Sequence, residues 1–262
     1  MQIRLFHSPL AQGPCRLSEE ASHHLVRVLR AEEGQAVVLF DGLGSEAEAQ
    51  ILEPNPKACM VEISAIKTIS RESPLQITVV QALCLGDKMD WVVQKASELG
   101  ATLIQPLAAQ RSQLKLEGPR LEKRLAHWRA IAEAAAAQCG RNAVPTIAPL
   151  QRSADYFATI AEGIGREGGE TIEDIPLGEQ GRPGRRPTRW ILDPFASESL
   201  GQAPLSNSLT IAIGPEAGWT DEEESQAQRA GFIRIRCGPR ILRTETAAAA
   251  VLAAVAVRIG EF

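Results

Sequence analysis

What this chain lacks narrows its chemistry first. No apolar run reaches the roughly 18 to 20 residues that cross a bilayer, so no membrane span is expected. The opening residues, MQIRLFHSPL, carry neither a long apolar core nor a small-residue cleavage site, so no secretory signal is read there and a cytoplasmic location is expected. Cys15, Cys59, Cys84, Cys139 and Cys237 form no CxxC pair, and the adjacent His23 and His24 cannot both face one metal from a helix, so no metal site is expected. An odd number of scattered thiols reads as reduced, with at least four of the five expected to be buried, small hydrophobes. There is no GxxxxGK[ST] phosphate loop and no GxSxG elbow. Gly163, Gly165 and Gly168 have GxGxxG spacing, but the DYFATIAE before them reads as helix rather than strand, which excludes a dinucleotide fingerprint.

What is present is ordinary in bulk and uneven in detail. A chain of 262 residues, 44% hydrophobic and 23% charged, makes one large or two ordinary globular domains. The net charge of −4 speaks mildly against nucleic acid, but the arginines are clustered. Arg182, Arg185, Arg186 and Arg189 lie together, and Arg229, Arg234, Arg236, Arg240 and Arg243 occupy a stretch with no acid between Glu224 and Glu245. Two readings stand for both clusters: a solvated surface, or a face for an anionic partner.

Two textures divide the chain. Residues 1–72 read as a β-rich unit with one helix, capped by Ser18 and carrying Ala21, Leu25, Val28 and Leu29 on one side. QAVVLFDGLGSEAEAQI reads as two strands around an Asp-Gly turn, and ACMVEISAIKTI as another strand. RESP, Arg71 to Pro74, reads as a domain junction. Residues 73–262 then alternate strand and helix, which implies a mostly parallel sheet and an α/β class. LQITVVQALCL, ATLIQPL, RWILDP, SLTIAIG and FIRIRC are the strands. Asp87 reads as the N-cap of one helix, and Pro119 opens a long one with Leu121, Leu125, Trp128 and Ile131 at helical spacing, ending at Gly140. Trp128 is a candidate interface anchor. TETAAAAVLAAVAVRIG is the last helix. Residues 163–188, rich in Gly, Pro and charge, read as a mobile loop or insertion.

Two stretches share one plan. IAIGPEAGWTDEEE and CGPRILRTETAAAA each run from strand through a Gly-Pro turn into a helix. Ligands of α/β proteins sit at such carboxyl ends of strands, yet Asp221, Glu222, Glu223 and Glu224 at the helix start would repel a phosphate. Those acids complement the helix dipole, and Thr220 with Glu223 forms a T-x-x-E capping box. The paired loops read as two lips of one pocket with Ile213, Ile241 and Leu242 as apolar walls. That pocket suits a neutral or cationic ligand with a flat ring, and S-adenosylmethionine is one. Ala247, Ala248, Ala249, Ala250, Ala253, Ala254 and Ala256 make the last helix thin, either for propensity or for close enclosure by neighbouring backbone.

IGPEAGWTDEEE followed by CGPRILRTETA resembles the signature of the RsmE family of small-subunit ribosomal RNA methyltransferases, members of the SPOUT superfamily. HLVRVLR (His24 to Arg30), FDG (Phe40 to Gly42), RESP, GDKMDWVVQKASELG, Arg111-Ser112 and QCGRN (Gln138 to Asn142) follow the family pattern in order, so the resemblance covers nearly the whole chain. It implies a PUA-like RNA-binding domain over 1–72 and a trefoil-knotted methyltransferase domain over 73–262, working as a homodimer. It implies methyl transfer from S-adenosylmethionine to N3 of a uridine in the decoding region of 16S rRNA, on the assembled small ribosomal subunit. Alternatives are a SPOUT enzyme acting on another RNA such as tRNA, or a non-catalytic RNA-binding relative.

The resemblance also assigns residues. Cofactor-binding positions are Leu192, Pro194, Ile213, Gly214, Pro215, Glu216, Gly218 and Trp219 on one side. On the other they are Cys237, Gly238, Ile241, Leu242, Arg243 and Thr244. Arg243 is the candidate to stabilise charge on the uracil oxygens. Glu245 is a proton acceptor or a helix-start cap. His24, Arg27, Arg30, Lys88, Arg111 and Arg141 are the candidate RNA contacts, with Arg27 and Arg30 three apart on one helix face. Three features depart from the family: Ala217 stands where GPEGG has glycine, Ala137 stands where an acid is usual, and the 163–188 segment is long.

Overall fold

Strand pairing separates two sheets, one in each half of the chain. The computed structural model describes residues 2–165 and 187–262. Two compact units emerge, Met1–Glu72 with Arg129–Pro145, and Ser73–Trp128 with Thr146–Phe262. The return of Arg129–Pro145 to the first unit is not captured by a linear boundary at 72/73.

In the first unit, β1 (Arg4–Phe6), β2 (Gly13–Arg16), β3 (Ala36–Phe40), β4 (Ser45–Glu53) and β5 (Met60–Thr68) form a sheet ordered β1-β3-β4-β5-β2. The β3–β4 and β4–β5 pairs are antiparallel and β1 is parallel to β3. Leu5, Leu25, Leu39, Ile51, Val61 and Ile63 are buried as its core. The β3–β4 turn is held by Asp41, whose Oδ1 accepts from the backbone N–H of Leu43 (2.7 Å) and of Ser45 (3.0 Å). Gly42 is required there twice over. Its φ is +77°, and a Cβ would lie 2.9 Å from the Phe6 ring.

Helix α1 (Glu19–His23) is capped as expected, Ser18 Oγ accepting from Ala21 N–H at 3.2 Å. It then loosens into a π-helical turn, His24–Val28, with Leu29 N–H donating to the His24 carbonyl. This corrects the single apolar stripe: the wider turn leaves Val28 58% and Leu29 42% exposed, while Leu25 stays buried. Arg30 lies past the turn at φ +53°, so Arg27 and Arg30 do not share a regular helical face.

A charged tether ties the return segment to this sheet. Arg4 donates to Glu46 (2.8 Å) and to Asn142 Oδ1 (2.6 Å), and Arg71 donates to the same Glu46 (2.6 Å). Asn142 in turn donates to the Ile69 carbonyl at 2.9 Å. Arg141 is 5% exposed and pairs with Glu72, its Nε 2.8 Å from Oε2.

In the second unit, β6 (Gln76–Ala82), α2 (Lys88–Glu98), β7 (Leu103–Ala108), α3 (Gly118–Cys139), β8 (Thr146–Ile147), β9 (Gln151–Arg152) and α4 (Ser153–Gly165) come first. Helix α3 enters the unit through Trp128 and leaves it after. Next come β10 (Thr188–Leu192), β11 (Ser208–Ile213), α5 (Asp221–Arg229), β12 (Ile233–Ile235) and α6 (Thr244–Ile259). The sheet runs β12-β10-β11-β6-β7-β8, with parallel pairs throughout and β9 also parallel to β7.

Three expectations change here. Asp87 takes the N-cap position of α2 but makes no side-chain capping bond. Trp128 is not an exposed anchor: it is fully buried, and its indole N–H donates to Asp90 Oδ1 at 3.0 Å. Of the segment read as a loop from 163 to 188, the described ends are regular: Gly163–Gly165 belong to α4, and Thr188 opens β10 with its backbone N–H donating to Ser206 Oγ at 3.1 Å. Residues 166–186 lie outside the described residues.

Glu46 makes the first unit sensitive to acid. The hydrogen bond from Arg71, joined by Arg4, brings its carboxyl from 4.5 down to about 2 against the opposing effect of burial. A carboxylate depressed in this way stabilises the fold above its unfolded value, and that contribution is lost as pH falls toward the folded one. Glu46→Gln should therefore lower stability at pH 7 by about 1–3 kcal/mol, and flatten the fall in unfolding free energy between about pH 4.5 and 2. Urea titrations across that pH range measure both; an unchanged slope contradicts the assignment.

Candidate active site

Parallel strands deliver their carboxyl ends to one edge, and in this sheet β10, β11 and β6 are consecutive neighbours with β12 outside β10. The loops leaving these strands include both Gly-Pro turns. Gly214–Trp219 follows β11 and Cys237–Arg243 follows β12. Their meeting point is one hydrogen bond: Thr244, the first residue of α6, donates its hydroxyl to the Gly214 carbonyl at 2.6 Å.

The first loop is held from both sides. Gly218 N–H closes a turn onto the Pro215 carbonyl at 2.9 Å, and Gly218 takes φ +70°. The positive φ falls on Gly218 and not on Ala217, so alanine at 217 carries no backbone strain. Glu216 Oε1 accepts from Lys88 Nζ (2.6 Å) and from Leu85 N–H (3.0 Å), which fastens the loop to the exit of β6. Arg111, at the exit of β7, donates to the carbonyls of Ala217 (3.2 Å) and Trp219 (2.7 Å). Gly214 lies against the Trp219 indole so closely that a Cβ would sit 3.2 Å from Nε1. The indole packs edge-on to Phe157, which packs edge-on to Phe232.

Behind the loop, Thr220 and Glu223 form the anticipated capping box on α5. The carboxylate does more than cap. Glu223, fully buried, accepts from Ser153 Oγ (2.7 Å), Gln110 N–H (2.9 Å) and Thr220 N–H (3.0 Å). Ser153 and Gln110 escape sequence reasoning, because nothing local marks a hydroxyl or an amide as the partner of an acid 70 or 113 residues away.

The second loop is more open. Gly238 takes φ +84°, Ile241 is 71% exposed, Leu242 is half-buried and Arg243 is exposed. At the exit of β10, Asp193 pairs with Arg234 and accepts from Phe195 N–H at 2.9 Å; Leu192 is half-buried and Pro194 exposed.

Charge in the site is organised around Glu216. Burial would raise its pKa, but the bonds from Lys88 and Leu85 outweigh it and hold the carboxyl low. The same bond raises Lys88. Burial, with the charge of Glu216, pushes the Cys84 thiol up to about 12, and burial pushes Cys237 to about 11. Burial thus disfavours a thiolate at either position. Among the described residues no three His, Cys, Asp or Glu side chains converge as a metal site would require.

Two buried polar atoms at these loops have no hydrogen-bond partner, the indole N–H of Trp219 and Oε2 of Glu245. Glu245 follows the Thr244 that touches Gly214, and it makes no capping bond to α6. A donor and an acceptor buried without partners beside a glycine-lined turn suit a ligand that carries both kinds of polar group. S-adenosylmethionine has that chemistry, so the residues present fit it.

The candidate RNA contacts divide. His24, Arg27 and Arg30 are exposed in the first unit. Arg141 is instead buried against Glu72, and a phosphate cannot reach it without breaking that pair. Arg111 is committed to two carbonyls, and Lys88 to Glu216.

Comparison with known proteins was consistent along the chain. The RNA methyltransferase domain family matches residues 71–256, and the RNA methyltransferase PUA domain family matches residues 17–64. The ribosomal RNA small subunit methyltransferase E of Bacillus subtilis is 30% identical over 97% of this chain and 94% of its own length. A putative methyltransferase from Legionella pneumophila, solved with bound SAM, is 32% identical over 98% of both chains with a TM-score of 0.85. The ribosomal RNA small subunit methyltransferase E of Neisseria gonorrhoeae, bound to S-adenosylmethionine, is 32% identical with a TM-score of 0.81 and the same coverage.

Glu223 offers a stability test of this scaffold. Glu223→Ala removes the reciprocal arm of the capping box, so that Thr220 N–H, Gln110 N–H and Ser153 Oγ all lose their acceptor, while the Thr220 cap on the backbone N–H of residue 223 remains. The expected cost is about 3 kcal/mol or more, from three donors left without their acceptor. Glu223→Gln keeps one acceptor and should cost less. Denaturant midpoints decide; a loss within about 0.5 kcal/mol for Glu223→Ala, the range of ordinary surface changes, contradicts the role.

Proposed function

The chain belongs to the RsmE family of ribosomal RNA small subunit methyltransferases, and from that premise we propose that it transfers a methyl group from S-adenosylmethionine to N3 of a uridine in 16S rRNA. The observation that carries the reading is the junction of the two Gly-Pro loops at Thr244 and Gly214, beside the open polar atoms of Trp219 and Glu245. Work in the cytoplasm, on the small ribosomal subunit at its decoding region, follows from that substrate.

When bound, S-adenosylmethionine supplies an electrophilic methyl group on a sulfonium. The chain's own task is placement, because in-line displacement depends on alignment. Gly214, Pro215, Glu216, Gly218 and Trp219 hold the cofactor from the β11 side, with Ile213 as apolar floor. Cys237, Gly238, Ile241, Leu242 and Thr244 hold it from the β12 side, and Leu192 and Pro194 complete the wall from β10. Uracil N3–H must lose its proton, and we assign that step to Glu245, a reading supported by its carboxylate having no partner at Oε2. Arg243, exposed at the N-cap of α6, stabilises the negative charge that develops on the ring oxygens.

Residues 1–72 serve as the PUA-like RNA-binding domain, docking rRNA phosphates through His24, Arg27 and Arg30. Residues 73–262 form the methyltransferase domain. Its trefoil-knotted course is supported by the thin α6, in which Ala247, Ala248 and Ala256 are buried. A homodimer is supported by apolar side chains left exposed on α2 and α6, Trp91 and Val257. Light scattering at micromolar concentration should give twice the mass of one chain; a monomer contradicts the dimer.

Mass mapping of 16S rRNA from a strain lacking the gene tests the reaction. Loss of one N3-methyluridine, restored by the wild-type gene, is the expected result. An intact 16S pattern with a missing tRNA methyl group turns the reading to the other substrate class.

The two sets of arginines should separate kinetically. Arg243→Ala should lower kcat by roughly 10² to 10³ with little change in RNA binding, as for a lost oxyanion donor. Arg27→Ala with Arg30→Ala should raise KM on small-subunit particles and flatten the salt dependence. Near-normal kcat in Arg243→Ala removes it from catalysis. Normal particle binding across salt in the double variant removes that surface from docking.

A further inference from the structure

Gln81, the residue before the end of β6, is fully buried and pairs in register with Ile213 of β11. Its amide Nε2 donates to the Ala82 carbonyl (2.9 Å) and to Thr244 Oγ1 (2.9 Å). A carbonyl oxygen can only accept, so the end facing Ala82 is the nitrogen. The Thr244 hydroxyl accepts from that nitrogen and therefore has its own proton free for the Gly214 carbonyl at 2.6 Å. Every donor in the chain Gln81 to Thr244 to Gly214 is thus assigned, and its members come from β6, α6 and the loop after β11.

The other end of the amide is the informative one. Gln81 Oε1 is buried with no hydrogen-bond partner. An unsatisfied buried acceptor costs stability, and an apolar side chain of the same shape would remove that cost. The open oxygen thus offsets what the two bonds of the nitrogen contribute, and the net contribution to the fold is small. The residue is well explained as the group that orients the Thr244 hydroxyl. Without it the hydroxyl is free to turn toward other acceptors, and the two Gly-Pro loops lose their only side-chain hydrogen bond to one another among the described residues.

We propose that Gln81 is a positioning residue for the cofactor site, acting through Thr244 to hold the Gly214 turn and the first turn of α6 in the binding arrangement. This rests on the assignment of S-adenosylmethionine to these loops. The relay makes three variants informative. Gln81→Met keeps length and loses the donor. Thr244→Val keeps shape and loses the hydroxyl. Thr244→Ser keeps the hydroxyl.

Calorimetric titration of the full chain with S-adenosylmethionine, paired with thermal melts of the free protein, reads the outcome. Gln81→Met should weaken binding at least tenfold while its melting temperature stays equal to wild type or rises. Thr244→Val should weaken binding to a similar degree, and Thr244→Ser should stay within threefold of wild type. The double variant Gln81→Met/Thr244→Val should bind no worse than the weaker single one, because both remove the same relay. Wild-type affinity in Gln81→Met overturns the proposal, as do parallel losses of affinity and melting temperature, or additive losses in the double variant. If Gln81→Met fails to fold, the residue is structural and the proposal falls; the Thr244 pair still reports whether the hydroxyl matters. A wild-type chain that binds no S-adenosylmethionine defeats the cofactor assignment itself, a different failure.

Discussion

The second unit depends on one buried carboxylate. Glu223 gathers donors from the exit of β7, the start of α4 and the N-cap of its own helix. Each donor would otherwise be a buried group without a partner, at a cost of about 1–3 kcal/mol apiece. Fixing Gln110 also fixes the direction of Arg111, the next residue, whose guanidinium then reaches the Ala217 and Trp219 carbonyls. The Gly214–Trp219 loop is therefore shaped from behind by Glu223 and from the side by Arg111 before any ligand is considered. Its other side is fixed by Glu216 on Lys88 and Leu85.

This arrangement resolves the apparent conflict between an acidic helix start and a ligand loop. Of the acids of α5, Glu223 is buried inside the fold and Glu224 is half-buried, while Asp221 and Glu222 stay on the surface. Glu223 caps and cross-links, Glu222 pairs with Arg229 at 3.3 Å, and Glu224 lies 3.5 Å from Arg234. Arg234 also holds Asp193 at the exit of β10. The arginine-rich stretch is likewise partly internal, so the sign of the sequence there says little about the sign of the partner. What these loops hold is a pair of buried, unpartnered polar atoms, the Trp219 indole N–H and Glu245 Oε2.

Much of this was legible in the sequence, for identifiable reasons. The strands β6, β7, β10 and β11 lie in apolar runs flanked by Gly or Pro, β12 is the centre of the alternating stretch FIRIRC, and α2, α3 and α6 keep helical spacing for three or more turns. The T-x-x-E box at Thr220 is a local pattern and formed as a local structure. β1, β2, β8 and β9 were missed because runs of 2 to 4 residues carry no readable period. The π-turn at His24–Val28 keeps the same residues a regular helix would use, so no pattern announces it. Partners across long separations are the least visible. Lys88, Arg111 and Arg141 look like free cations in the sequence, and each is engaged by a group that only the fold brings near.

That engagement reshapes the question of which charge meets RNA. A cation held by a buried or half-buried carboxylate must break its pair before it can bind phosphate, and for Arg141 the surviving Glu72 would be left poorly solvated. The exposed members of the proposed set, His24, Arg27 and Arg30, carry no such cost. They surround Val28 and Leu29, which the π-turn has lifted out of the core. Arg30 holds a left-handed backbone that a non-glycine residue adopts only when its surroundings enforce it. An exposed turn that places cations beside apolar side chains can meet phosphate and sugar together, whereas a regular helix would have hidden Val28 and Leu29 behind Leu25. The same local loosening exposes cations and apolar side chains together, which the proposed docking of RNA on this turn requires.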